Sequence, residues 1–173
     1  MVNFKAQLKE IKAFVFDMDG VLTDGTMLVM PDGEMLRRMH FRDGYAMQLA
    51  IKKGFKIAII SGGRAAGVTE RFEKLGVSHI YLAVSEKIEK YEEFLKLTEL
   101  NDNQVIYMGD DIPDYQVMKR VGVPTCPSDA SEEIKQISKY VSNKKGGEGC
   151  VRDIIEQTMK MQGSWMTDDS FVW

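Results

Sequence analysis

Short apolar runs rich in β-branched residues alternate with helical patterns along most of this chain. Five of these runs are predicted strands, at residues 11–16, 56–60, 79–82, 104–108 and 123–126. Four helical patterns lie between them, at residues 45–53, 64–75, 87–97 and 112–121. Glycine, the usual C-terminal stop of a helix, directly follows three of these patterns, at positions 54, 76 and 122. This alternation predicts an α/β fold in which helices cover both faces of a parallel sheet.

The length of 173 residues predicts one domain with enough chain to bury a core. A net charge of −3 argues against sequence-independent nucleic-acid binding, which needs an excess of Lys and Arg. Cys126 and Cys150 are too few for a disulfide framework and are typical of reduced thiols. The chain has no apolar run near the roughly 18 residues of a membrane span, and its first ten residues are too polar for a signal peptide. We therefore expect a cytoplasmic protein that acts on a small molecule and binds neither nucleic acid nor membrane.

Residues 26–41 break the alternation, because two apolar-rich arms flank the sequence Pro-Asp-Gly at residues 31–33. Residues of these types favour a tight turn, so this segment is predicted to be a protruding β-hairpin. Residues 162–173 are polar with scattered aromatic side chains, and we expect this tail to be loose in the single chain and to order on a neighbour. The predicted domain therefore covers residues 1–161.

Two carboxylates directly follow the first predicted strand. Asp17 and Asp19 are two residues apart, and a sharp turn eased by Gly20 can bring both side chains to the carboxyl edge of the sheet, where ligands of such folds bind. Taken alone, such a pair is more often a capped turn whose carboxylates accept hydrogen bonds from backbone N–H groups. It indicates a site only with support from elsewhere in the chain.

A second acidic cluster follows the strand predicted at residues 104–108. It contains Asp110, Asp111 and Asp114, and by itself it is typical of an acidic helix N-terminus with Pro113 in the first turn. If the two strands are neighbours, however, the two acidic clusters repel each other strongly unless a cation lies between them. Because carboxylate oxygens are the ligands that Mg²⁺ prefers, the two clusters together favour a magnesium site.

Two more polar features follow predicted strands. Ser61 precedes Gly62 and Gly63, and small residues between a strand and a helix let backbone N–H groups approach an anion. Lys87 begins the helix after the third strand. Neither feature identifies a site alone, because a Gly-Gly loop is a common connection and a single lysine is usually a solvated surface residue. Their meaning comes from their order along the chain.

The order of these motifs resembles the haloacid dehalogenase superfamily of phosphohydrolases. The resemblance covers roughly residues 11–121 and depends most on the DxDG sequence at 17–20 and the GDDxxD sequence at 109–114. It implies a three-layer, Rossmann-like fold. It also implies that Asp17 is the nucleophile and that Asp19 is the general acid and base.

The same resemblance implies how charge is managed during phosphoryl transfer. Ser61 and Lys87 would hold the transferring phosphoryl group, and Lys87 and the metal would offset its repulsion from a carboxylate nucleophile. The implied ligands of Mg²⁺ are the carboxylates of Asp17 and Asp110 and the backbone carbonyl of Asp19. Asp111 and Asp114 would orient the groups around the metal.

Larger members of the superfamily insert a cap domain after the first motif or before the lysine. This chain has only the predicted hairpin at the first of these positions, and room for one helix and one strand at the second. We therefore expect no cap domain. An open site of this kind acts on a macromolecule or is closed by neighbouring subunits.

Three sequences favour closure by subunits. They are VLTDG at residues 21–25, FRDGYAMQLA at 41–50 and GGEGCVRDIIE at 146–156, and they are similar to the 3-deoxy-D-manno-octulosonate 8-phosphate phosphatases of lipopolysaccharide precursor synthesis. This resemblance implies a homotetramer whose hairpins assemble at the centre and whose tails reach a neighbour's site. The implied substrate is a keto-deoxy sugar acid phosphate, whose carboxylate suits an arginine. The implied substrate-binding residues are Asp19, His40, Phe41, Arg42, Asp43, Gly44, Gly62, Arg71 and Lys87.

Two departures from the common pattern leave alternatives open. Many members carry arginine where this chain has Gly63 and Gln48. A related branch acts on nine-carbon keto-deoxy sugar acid 9-phosphates and tends to have glutamate at position 63, so the absence of glutamate favours the eight-carbon substrate. A phosphomutase is disfavoured because it needs a cap to exclude water. A non-catalytic binding module is disfavoured because both Asp17 and Asp19 are present.

Overall fold

Eight strands and seven helices occur among residues 4–64 and 66–171, which are the residues that the computed structural model describes. The strands are β1 (Ala13–Phe16), β2 (Leu28–Val29), β3 (Met35–Leu36), β4 (Lys56–Ile60), β5 (His79–Tyr81), β6 (Val105–Met108), β7 (Val123–Cys126) and β8 (Tyr140–Val141). The helices are α1 (Phe4–Gln7), α2 (Phe41–Lys52), α3 (Ala66–Lys74), α4 (Lys87–Thr98), α5 (Tyr115–Arg120), α6 (Glu132–Ile137) and α7 (Cys150–Met161).

Six of these strands form one parallel sheet in the order β5-β4-β1-β6-β7-β8. The first strand lies in the middle, and its last residue, Phe16, is in register with Ile59 of β4 and Met108 of β6. The chain leaves β1 in one direction to build β4 and β5 and in the other to build β6, β7 and β8. Ligands of open parallel sheets bind at such a switch point, beyond the carboxyl ends of the strands.

Alternate residues of β1 face two separate hydrophobic clusters. Phe14 and Phe16 pack with side chains of α2, α3 and α7, whereas Ala13 and Val15 pack with side chains of α4, α5 and α6. All four residues of the strand are fully buried. The predicted three-layer α/β fold with a parallel sheet is therefore confirmed.

The hairpin is confirmed, although its paired part is shorter than the predicted segment. Strands β2 and β3 pair antiparallel, with Leu28 opposite Leu36 and Val29 opposite Met35. The turn between them is closed by the N–H of Gly33, which donates to Met30 O over 2.9 Å. In the described chain one helical turn (Met18–Leu22) and this hairpin lie between β1 and α2, and α3 and β5 lie between β4 and α4, so no cap domain is inserted at either position.

The last third of the chain contains elements that the strand and helix pattern did not predict. They are α6, β8 and α7. Helix α7 packs on α2 and buries Val151, Ile154, Ile155 and Met159, which follow helical spacing. Helix α2 also starts earlier than predicted, at Phe41, where the hairpin segment was expected to end.

One of the predicted helix stops has a different physical cause. Gly54 and Gly76 have φ angles of 91° and 89°, as expected of glycine after a helix. Gly122, by contrast, does not have a φ angle in the left-handed region. A Cβ atom there would lie 2.5 Å from the Cα of Asn103, so this glycine permits close packing of two loops.

The described part of the tail, residues 162–171, packs on its own chain, which differs from the expected loose tail. The side-chain amide of Gln162 donates to the carbonyl oxygens of Leu8 and Ile11 over 2.8 and 2.9 Å. The ring of Trp165 lies 5.3 Å from the guanidinium carbon of Arg152. No described helix combines the length and the apolarity that a membrane crossing requires.

The loop before α7 packs tightly against the loop after β1, and this contact yields a prediction. A Cβ atom at Gly146 would lie 1.9 Å from Gly20 O and 2.9 Å from Thr23 O. We expect Gly146→Ala to lower the free energy of unfolding by roughly 3 kcal/mol, because backbone on both sides must move. Urea unfolding monitored by circular dichroism measures this change.

The matched control is Gly67→Ala in α3, where a Cβ atom meets no atom within 4 Å. That change should be neutral or stabilising, because alanine favours the helix over glycine by about 1 kcal/mol. Equal stability of the two variants would contradict the tight contact at Gly146.

Candidate active site

The carboxyl ends of four strands bring the predicted motifs to one cavity. Asp17 follows β1, Ser61 follows β4, Lys87 begins the helix after β5, and Asp110 lies two residues after β6. The cavity has a volume of about 470 Å³. Its lining also includes the predicted residues Asp19, Gly62, Asp111 and Asp114. The structure therefore brings together the residues of all four motifs.

The turn after β1 depends on glycine for two reasons. Gly20 has a φ angle of 95°, which side-chain-bearing residues rarely adopt. A Cβ atom at this position would also lie 2.0 Å from Oδ2 of Asp110. The two acidic motifs are thus in direct contact, and only a residue without a side chain fits between them.

Lys87 links two buried carboxylates at the centre of the cavity. Its Nζ atom lies 2.8 Å from Oδ1 of Asp17 and 2.8 Å from Oδ1 of Asp114. Burial is the largest single influence and opposes the charge of the ammonium, but attraction by and hydrogen bonds to Asp114 and Asp17 together outweigh it and raise the pKa of Lys87 above its usual value. A cationic lysine is therefore held directly beside Asp17.

Both carboxylate oxygens of Asp114 accept hydrogen bonds. Its Oδ1 also accepts a hydrogen bond of 2.6 Å from the hydroxyl of Tyr107, and its Oδ2 accepts one of 3.2 Å from the backbone N–H of Asp110. Tyr107 is fully buried on β6, and its sequence context is that of a core strand residue. Sequence analysis therefore missed its contact with the site.

Three carboxylates crowd the cavity. One oxygen each of Asp17, Asp110 and Asp114 lie within 4.8 Å of one another. Burial and then repulsion by Asp114 raise the pKa of Asp17 to about 6. Burial and then repulsion by Asp17 and Asp114 raise the pKa of Asp110 to about 8. A bound cation would relieve this repulsion, so the donor set fits a hard metal ion with oxygen ligands.

Ser61 also lines this cavity and is almost completely buried. Its Oγ accepts a hydrogen bond of 3.1 Å from the N–H of Gly63, and its own N–H donates to Tyr81 O over 2.9 Å. The hydroxyl hydrogen remains available for a ligand in the cavity. The loop around Gly62 thus presents small residues to that space, as predicted.

Asp19 lies at the mouth of the cavity and contacts a residue that sequence analysis did not identify. Nε of Arg37 lies 2.7 Å from its Oδ1, and Nη2 of Arg37 lies 3.0 Å from its Oδ2. Arg37 directly follows β3 of the hairpin. No local sequence signal marks this arginine, because the contact joins positions 18 residues apart.

Most of the predicted substrate-binding residues lie elsewhere in the single chain. Phe41 is 75% exposed, and the guanidinium carbon of Arg71 lies 5.4 Å from its ring centre. Both residues line a cavity of about 660 Å³ between the hairpin and α3. A Cβ atom at Gly44 would lie 2.8 Å from Nη2 of Arg71, so this glycine makes room for the arginine.

His40 and Arg42 line a third cavity, of about 420 Å³, together with Arg152 of α7. Asp43 is buried beneath them, and its Oδ1 accepts a hydrogen bond of 2.7 Å from the N–H of Arg152. Asp43 therefore caps the N-terminus of α7 instead of facing the cavity of Asp17. Burial raises the pKa of Asp43 to about 6, although the N–H groups of Arg152 and Gly149 favour its charged form.

Known proteins resemble this chain over most of its length. A sequence profile of haloacid dehalogenase-like hydrolases matches residues 79–154. The 3-deoxy-D-manno-octulosonate 8-phosphate phosphatase of Yersinia pestis is 35% identical over 152 residues, which is 88% of this chain and 81% of that protein.

Solved structures agree with this similarity. The crystal structure of the Yersinia pestis phosphatase matches with a TM-score of 0.92 at 32% identity and covers 94% of this chain and 88% of that chain. The phosphatase of the same name from Moraxella catarrhalis, in complex with a magnesium ion, a phosphate ion and a KDO molecule, matches with a TM-score of 0.91 at 30% identity. That match covers 95% of each chain.

The buried carboxyl of Asp43 predicts a pH dependence of stability. Its pKa is about 6 in the folded chain, against a usual value of 3.8. Between these values the folded state keeps a proton that the unfolded state releases, so the stability due to this group is fully present below pH 4 and is lost as pH rises through 6. The loss amounts to about 3 kcal/mol.

Asp43→Asn removes this titration. The free energy of unfolding of the original chain, relative to the variant, should therefore fall by about 2.5 kcal/mol between pH 4 and pH 7. Urea unfolding at several pH values measures the difference, and Asp32→Asn in the exposed hairpin turn is the matched substitution. A difference that is independent of pH would contradict the assignment.

Proposed function

This chain belongs to the haloacid dehalogenase-like hydrolases, among the 3-deoxy-D-manno-octulosonate 8-phosphate phosphatases, and on that premise we propose that it hydrolyses a keto-deoxy sugar acid phosphate. The proposed substrate is 3-deoxy-D-manno-octulosonate 8-phosphate, and the proposed pathway is lipopolysaccharide precursor synthesis. The observation that carries the proposal is the buried contact of Lys87 with Asp17 and Asp114 at the carboxyl edge of the sheet.

Asp17 is the proposed nucleophile. Lys87 fixes one of its carboxylate oxygens and supplies positive charge where the phosphate oxygens enter. The attacking oxygen forms a bond to phosphorus while the bond from phosphorus to the sugar oxygen breaks, and the product is an aspartyl-phosphate. The hydroxyl of Ser61 and the N–H of Gly62 belong to residues that line the same cavity and can donate to the transferring group, whereas the N–H of Gly63 already donates to Ser61 Oγ.

Asp19 is the proposed general acid and base. It is within the same cavity as Asp17 but lies at its more exposed mouth, where a leaving group and water have access. Asp19 donates a proton to the departing sugar oxygen in the first step. In the second step it takes a proton from the water that attacks the aspartyl-phosphate.

Mg²⁺ is the proposed cofactor, and the residues that would hold it are the carboxylates of Asp17 and Asp110 and the backbone carbonyl of Asp19. When bound, it would neutralise charge on the phosphate oxygens and on the carboxylates. Asp114 is better suited to orientation, because both of its oxygens already accept hydrogen bonds. Asp111 has the same proposed role, since it begins the 3₁₀ turn that contains Asp114.

We further propose that copies of this chain assemble as a homotetramer in the cytoplasm. Leu28 and Val29 of the hairpin are 62% and 65% exposed, which favours burial against other copies. His40, Phe41, Arg42 and Arg71 lie outside the cavity of Asp17, which fits a site completed by a neighbour and its tail. The proposed domain is residues 1–161, and we propose neither nucleic acid nor membrane as a partner.

A panel of sugar acid phosphates tests the activity. We expect Mg²⁺-dependent release of phosphate, fastest with the eight-carbon substrate and slower with the nine-carbon 9-phosphate. Asp17→Asn should lower turnover at least about a thousandfold, because an amide cannot form the acyl phosphate. Phosphate release is the measurement.

The control is Asp32→Asn, which makes the same substitution in the exposed turn of the hairpin and should leave turnover unchanged. Addition of a chelator should stop hydrolysis, and excess Mg²⁺ should restore it. Substantial turnover by Asp17→Asn would refute the nucleophile, and full activity in chelator would refute the metal.

The assembly has its own test. Light scattering should give the mass of four chains, and Val29→Asp in the exposed arm should shift the mass towards one chain, because a charge cannot be buried there without a partner. Activity on the sugar acid phosphate should fall with the mass. A mass of one chain with full activity would contradict the proposed tetramer.

A further inference from the structure

Arg37 lines the cavity of Phe41 and Arg71, and it forms a bidentate contact with Asp19, which lines the cavity of Asp17. The two distances, 2.7 and 3.0 Å, are those of a fork in which two N–H groups meet two carboxylate oxygens. The side chain of Arg37 is only 3% exposed, whereas Met35 and Leu36, the two residues before it, are exposed as whole residues. The hairpin thus buries one charged side chain in the site while its apolar arms face outwards.

The loop after β4 is shaped to admit this side chain. A Cβ atom at Gly63 would lie 2.8 Å from Oδ2 of Asp19 and 3.0 Å from Nη2 of Arg37. Nη1 of Arg37 lies 3.4 Å from the carbonyl oxygen of Arg64 in the same loop, a long contact. The carboxylate of Asp19 and the guanidinium of Arg37 therefore both lie next to Gly63. A side chain at position 63 would clash with both groups and displace their bidentate contact.

Asp19 has little other restraint. It is followed by Gly20 in a turn, and the hydroxyl of Thr23 approaches its Oδ1 at 3.4 Å, which is long for such a hydrogen bond. A carboxylate has about four lone-pair positions, so a fork that uses one on each oxygen leaves another on each for a leaving group or water. The fork can therefore fix the direction of the carboxylate without blocking it.

We propose that Arg37 is a positioning residue that holds the carboxylate of Asp19 towards the leaving oxygen. Gly63 makes this contact possible because it has no side chain. The inference depends on the proposed phosphatase function. In the first step the electron pair of the breaking phosphorus–oxygen bond goes to the sugar oxygen, which takes the proton from Asp19. Misplacement of a proton donor by about 1 Å can cost about a hundredfold in rate.

Two phosphate esters with different leaving groups separate this role from a structural one. The anion of p-nitrophenol leaves without a proton, whereas a simple primary alkoxide needs one. We expect Arg37→Gln to lower kcat/KM about a hundredfold for a primary alkyl phosphate that carries no carboxylate, and less than about threefold for p-nitrophenyl phosphate. Asp19→Asn should show the same selectivity.

The matched control is Arg38→Gln. Arg38 is the next residue on the same hairpin, its side chain is 78% exposed, and it pairs with Asp24 at 2.9 Å. We expect kcat/KM to stay unchanged for both esters. Gly63→Ala would disturb the contact between Asp19 and Arg37 from the loop after β4, and it should reproduce the selective loss of Arg37→Gln. The test therefore does not depend on the folding of one variant.

Equal losses on both esters would overturn the proposal, because they would indicate a structural or phosphate-binding role. A loss confined to substrates with a carboxylate would also overturn it, because Arg37 would then bind the sugar acid. Original protein that with Mg²⁺ releases phosphate neither from these two esters nor from the sugar acid phosphates would overturn the proposed function itself, and the role of Arg37 with it.

Discussion

The ammonium group of Lys87 is shared by Asp17 and Asp114, and the acidic edge of the sheet depends on this sharing. Removal of one partner from a buried charged network leaves the others without compensation, which costs several kcal/mol. Asp110 adds a further carboxyl to the same few ångströms. The lysine therefore holds Asp17 and Asp114 in place, and in the proposed reaction the same ammonium group would meet the incoming phosphate.

The position of β1 explains how such distant residues meet. Asp17 leaves the middle strand of the sheet, with Ser61 on one side after β4 and Asp110 on the other after β6. These exits are fixed because β1, β6 and the last four residues of β4 are buried. The chemistry lies in short loops, and the sheet supplies the precision that loops alone lack.

The parts of the fold that follow from local pattern were predicted well. Strands β4 and β7 begin and end at the predicted residues, because each is a short apolar run closed by a change of composition. Helix α7 was not predicted although its buried residues follow helical spacing, because it begins after Gly149, which provides no side-chain cap. Gly122 stops a helix for a reason that only the packing of two loops reveals.

In the candidate site too, residues that follow a local pattern were predicted and residues that depend on tertiary contacts were not. Its carboxylates and its lysine each follow a strand, so position in the sequence was enough to place them at one edge. Arg37 and Tyr107 reach the site through tertiary contacts, from a hairpin that folds back and from the interior of a strand. Asp43 was assigned to substrate because of its motif, whereas the structure uses its carboxylate to begin α7.

The carbonyl oxygen of Val21, in the loop that follows Asp17, accepts hydrogen bonds from the N–H of Gly147 and from Sγ of Cys150, which is 129 positions later in the chain. Because of this separation, the two partners are synthesised at different times. At about 5–20 residues per second, a ribosome needs roughly 6–26 s to reach the second partner after the first has been made. Asp114, the last carboxylate of the site, is made before Gly147 and Cys150, so the loop after Asp17 gains these two hydrogen bonds only when every carboxylate of the site is already in the chain.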